Sequence, residues 1–65
     1  MPFDGKKMRE AREKAGLTQG ELAKKICVAQ QQISGFESGV RNPSVDCIAL
    51  IAKELNISNK DLVID

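Results

Sequence analysis

Apolar residues along this chain recur at intervals of three and four, not two. Met8, Ala11 and Ala15 fall on one side of a first helix, and Gly16 stops it. Thr18-Gln19-Gly20-Glu21 has the Ser/Thr-x-x-Glu form of a capping box, in which the first and last side chains satisfy each other's backbone amides. The helix that opens there carries Leu22, Ala23 and Ile26 inward. A third segment places Ala29, Ile33 and Phe36 on one face and Gln30, Gln31, Ser34 and Glu37 on the other, and Gly39 ends it. Asn42-Pro43-Ser44 predicts a turn into a fourth helix, with Ser44 as its cap. Val45, Ile48, Ala52 and Leu55 form that helix's inner stripe, which Ala49, Leu50 and Ile51 widen nearly all round. Asn56 suits its C-terminal cap, and Ser58-x-x-Asp61 opens a last short turn from which Leu62 packs back. No stretch keeps up a two-residue alternation. The pattern predicts an all-α class, with five short helices around one core and no repeats or linkers.

Sixty-five residues make a single domain, 1–65, and at this size only about 60% of the unfolded surface is buried on folding. That allows a modest core and no deep substrate pocket. Phe3 and Phe36 are the only aromatic residues, which argues against stacking platforms for single-stranded nucleic acid. The absence of histidine removes any histidine triad, and Cys27 and Cys47, twenty residues apart, do not form a zinc pattern. We therefore expect no catalysis, no metal and no cofactor. The two thiols fit a reducing cytoplasm better than a secreted disulfide scaffold. No apolar run has the length of a signal peptide core or of a membrane span, so the expected setting is cytoplasmic, with no membrane.

The net charge of +1 is unevenly placed. Residues 1–25 hold seven of the ten Lys/Arg against four acids, a net of +3; residues 26–65 hold three against five, a net of −2. A basic half suggests an anionic partner for one face, although most such lysines are solvated surface.

The sharpest signal spans residues 18–37. Two short helices meet across a tight corner at Ile26-Cys27-Val28, which is the helix-turn-helix arrangement. Ala23 is small where the two helices must cross closely. The stretch G-L-T-Q-x-E-L-A-x-K-I-x-V followed by I-S-x-x-E-S-G-x-R-N-P-S resembles the lambda-repressor-like (Cro/repressor, XRE-type) family over about Met8 to Leu62. The resemblance implies a compact five-helix domain whose third helix, about 29–37, lies in the major groove of double-stranded DNA. Carried over residue by residue, it implies base-edge contacts from Gln30, Gln31, Gln32 and Ser34. Glutamine bonds adenine bidentately, and Gln32 points more toward the helix flank. It also implies phosphate contacts from Gln19, Arg12, Arg41 and Asn42, and an Arg12–Glu37 pair tying the first helix to the third.

Three positions depart from the family pattern. Cys27 stands where the corner often carries glycine, Ala29 cannot cap the recognition helix, and Gly35 replaces a longer side chain used for a further base contact. Without the surrounding motif, Gln30–Gln32 would read as solvated helix surface. With it, the expected function is a sequence-specific DNA-binding transcriptional regulator, a repressor, acting as a homodimer on a palindromic operator. Leu50, Val63 and Ile64 exceed what so small a core can cover and, where exposed, would form the subunit interface. The alternatives are a protein-interaction module of the same fold, antitoxin-like or coactivator-like, and a regulator gated by oxidation of Cys27.

Overall fold

The computed structural model describes residues 2–64. Four α-helices follow in order: α1 (Gly5–Lys14), α2 (Gln19–Lys25), α3 (Gln30–Ser38) and α4 (Val45–Leu55). The expected fifth helix is a single 3₁₀ turn, Asn59–Leu62. It is too short to enter an α-helical repeat, and its N-terminal side is held by Ser58 and Asp61.

Three of the four α-helix starts are set by a short polar side chain at the N-cap. Asp4 accepts from the Lys7 amide, 3.1 Å, at the start of α1. At α2, Thr18 Oγ1 accepts from the Glu21 amide at 3.1 Å while Glu21 accepts from the Thr18 amide at 2.8 Å, completing the capping box. Ser44 opens α4 by accepting from the Cys47 amide at 3.2 Å. Three of the four stops share one geometry, the Schellman motif. Leu17 N–H reaches Arg12 O, Val28 N–H reaches Ala23 O, and Ile57 N–H reaches Ala52 O. The residue before each of those donors is left-handed: Gly16, Cys27 and Asn56.

The core contains Met8 of α1, Leu22 and Ala23 of α2 with Ile26 at its C-terminal cap, Ile33 and Phe36 of α3, Ile51, Ala52 and Leu55 of α4, and Leu62 of the terminal turn. Phe3 packs edge-on against Phe36, ring centroids 6.2 Å apart. The first turn of α1 lies directly on the end of α3, where a Cβ at Gly5 would collide with the Phe36 carbonyl oxygen. The two ends of the chain are paired: Asp4 N–H donates to Leu62 O at 2.7 Å, Ile64 N–H donates to Pro2 O at 2.9 Å, and Phe3 and Val63 form an isolated antiparallel bridge.

Three residues expected on inner faces lie outside. Ala15 is exposed because it is the cap of α1 and the inward row runs from Met8 to Arg12, i to i+4. Ala29 is exposed because it is the extended residue before α3. Val45, first in α4, overhangs the core and is 80% exposed.

Candidate nucleic-acid interface

Ile33 and Phe36 hold α3 against the core, and that fixes which residues of the helix face outward. Gln30, Gln31 and Ser34 are all exposed. Gln30 and Ser34 make one outward row and Gln31 and Gly35 the adjacent row, each at i, i+4. Gln30 leans over the first turn of α2, so that a Cβ on Gly20 would stand 3.3 Å from its side-chain oxygen. The two helices thus share one polar edge.

Gln32 is placed differently from its neighbours. It is half-buried, and its side-chain oxygen accepts from the Ala29 amide at 3.2 Å. Alanine has no oxygen to return the bond, so α3 begins with half of a capping box. Gln32, expected to contact a base, thus has its side-chain oxygen engaged at the helix start, and its amide N–H groups remain available.

Arg12 is also drawn into the fold. Its Nε and Nη2 bond the two oxygens of Glu37 at 2.6 and 3.2 Å, and Nη1 donates to Leu17 O at 2.7 Å. The two side chains are only 10% and 5% exposed. The expected α1–α3 tie is therefore present. Three of the five N–H donors of Arg12, the residue expected to contact phosphate, already bond within the protein, and its side chain is almost wholly buried. Glu37's hydrogen bonds raise the guanidinium pKa further above its ordinary value.

Glu37 also accepts from Gln19 Nε2 at 3.1 Å, so the carboxylate orients a side chain at the start of α2. Sequence periodicity gives no sign of this bond. Gln19 remains partly exposed, with its oxygen and second amide hydrogen available. On the far side, Arg41 and Asn42 are exposed in the loop after Gly39. The Arg41 amide donates to Gly35 O at 3.1 Å, and its side-chain stem runs across Gly35. Gln19, Gln30, Gln31, Ser34, Arg41 and Asn42 are polar, uncharged or basic. Glu37, the one carboxylate of α3, is turned inward.

Among the described residues no cluster of side chains could hold a metal ion, and no helix is long and apolar enough to cross a membrane. Cys47 is half-buried, which raises its thiol pKa, and Cys27 is exposed at the corner. Both are free thiols.

The helix-turn-helix family profile matches residues 8–59, a span that includes α2, the corner and α3. The chain belongs to the helix-turn-helix family. It is 36% identical over 59 residues to the HTH-type transcriptional regulator ImmR of Bacillus subtilis, covering 91% of this chain and 46% of ImmR. The chain thus spans about half the length of that relative. Among solved structures it superposes on the restriction-modification controller protein C.AhdI of Aeromonas hydrophila with a TM-score of 0.84, at 34% identity, covering 91% of this chain and 89% of the other. The TM-score is also 0.84 with SinR, a master regulator for biofilm formation whose structure is a complex with DNA, at 28% identity and 91% and 98% coverage. Other relatives are named as antitoxins.

Proposed function

We propose that this helix-turn-helix protein is a sequence-specific regulator of transcription that represses by binding double-stranded DNA, with α3 in the major groove. The observation that carries this is the outward face of Gln30, Gln31 and Ser34 on the leading turns of a helix pinned from behind by Ile33 and Phe36. A glutamine amide offers a donor and an acceptor side by side, which matches adenine N7 and N6–H₂. Gln19 at the start of α2 and Asn42 beyond α3 flank that face and fit phosphate oxygens on either side, and Arg41 adds positive charge beside them. The DNA complex of SinR and the regulator names of relatives support the same reading.

A domain of this size makes few base contacts. A two-fold dimer on a palindromic operator supplies the missing specificity, with half-sites one helical turn apart. The setting is the cytoplasm, and the activity is binding without catalysis. A protein-interaction role draws support from Val40, Val45, Leu50 and Ile64, which are apolar and 46–81% exposed. Salt dependence separates the two, because release of counterions from DNA gives a negative log–log slope.

The test uses duplexes selected from a random-sequence pool. Gln31→Ala is expected to lose ~1–3 kcal/mol on the selected duplex and to relax the preference at one base pair. Gln19→Ala is expected to weaken binding to selected and random duplexes alike. Equal losses by both variants on both duplexes would overturn the division between base and phosphate contacts.

A further inference from the structure

A glycine in the middle of a helix weakens it relative to alanine, and Gly35 lies inside α3, half-buried and not at a turn. Its missing side chain has a use. A Cβ there would stand 2.9 Å from Arg41 Cδ and 3.1 Å from Cγ, closer than such atoms approach without displacement. Arg41 lies across the space that any other residue would fill. The Arg41 amide is tied to Gly35 O, so backbone and side chain are both seated on the same helical turn.

Gly35 belongs to the row that begins with Gln31, one turn further on. The guanidinium starts one bond beyond Cδ, which places its Nε close to that row. Among the described residues Arg41 makes no ion pair, and its side chain is exposed. A planar, unpaired guanidinium beside a major-groove row has one strongly matched base edge: guanine, whose O6 and N7 accept two parallel N–H bonds.

We propose that Arg41 is a specificity-determining residue that reads guanine from its seat on Gly35, next to the base pair met by Gln31. The inference rests on the placement of α3 in the major groove. The loop arginine then takes over the readout that a side chain at position 35 would have made.

The test measures binding by fluorescence anisotropy for the wild-type chain, Arg41→Ala, Arg41→Lys and Gly35→Ala. The probes are a duplex selected from a random pool, its single-base-pair variants and a random duplex. Arg41→Ala is expected to lose roughly 10- to 100-fold on the selected duplex and little on the random one, with the preference flattened at one G·C pair. Arg41→Lys keeps the charge without the fork, so that preference should not return. Gly35→Ala should flatten the same pair while leaving the melting temperature unchanged or higher, which separates recognition from stability. A uniform loss across all duplexes for Arg41→Ala, or an intact preference in Gly35→Ala, would make Arg41 a phosphate contact and overturn the proposal while leaving the proposed function standing. No preference by the wild-type chain for any duplex would overturn both.

Discussion

At Cys27 the backbone takes a φ of 61°, the left-handed region that costs an ordinary L-residue about 1–2 kcal/mol. The position is forced by the Schellman hydrogen bonds that close α2, in which Val28 N–H reaches Ala23 O at 2.9 Å. Glycine and asparagine fill the equivalent positions at the ends of α1 and α4. Cys27→Gly should remove the strain and return part of the gain through greater freedom of the unfolded chain, for a net stabilisation of about 0.5 kcal/mol. In a domain of this size that is a rise of roughly 2–4 °C in melting temperature. Cys27→Val, β-branched at positive φ, should instead destabilise by more than ~1 kcal/mol. Thermal scans of the three proteins check both signs. Glu21 makes a second residue-scale prediction. The Thr18 backbone and side-chain hydrogen bonds lower its carboxyl pKa from the ordinary 4.5. The stabilisation is present above that ordinary value and is lost as pH falls through the lower folded value. Between pH 6 and pH 2.5, the melting temperature of Glu21→Gln should therefore fall less steeply than that of the wild type. Parallel curves would assign the acid sensitivity to other carboxylates.

Between elements, Glu37 is the joint. It bonds Arg12 of α1 and Gln19 of α2 from its place in α3, so one carboxylate fixes the angles among three helices. Glu37→Ala leaves a buried guanidinium without its partner and should cost about 3–5 kcal/mol, measured by urea denaturation. Replacing both partners by apolar residues of similar volume should recover much of the loss. The helices themselves were legible in the sequence, because caps such as Thr18 and Ser44 and stops such as Gly16 and Asn56 act through neighbouring residues. The Arg12–Glu37 half of the joint was legible only through family resemblance, and the Gln19 half not at all, since no periodicity links residues 12, 19 and 37. What neither source revealed was the contact of Arg41 with Gly35. Resemblance reads Gly35 as a lost side chain, and only three-dimensional packing returns a different side chain to that place.

At the scale of the whole molecule, the all-α class, the core and the helix-turn-helix followed from spacing and motif. Of the three residues expected to exceed the core, Leu50 and Ile64 are exposed, at 49% and 46%, whereas Val63 is half-buried where it bridges to Phe3. The closure of the chain ends was invisible in the sequence, because Pro2–Asp4 and Leu62–Ile64 are too short and too far apart to read as partners. That closure means the order of the helices along the peptide is separable from their arrangement in space. A short glycine linker between Ile64 and Pro2, with new ends opened between Ile57 and Ser58, would cut outside every α-helix and leave the caps of α1, α2 and α3 intact. Such a circular permutant should fold, melt within a few degrees of the parent and still select the same duplexes. Its terminal 3₁₀ turn would then come first along the peptide and α3 later, with Gln30, Gln31 and Ser34 still on the same outward face.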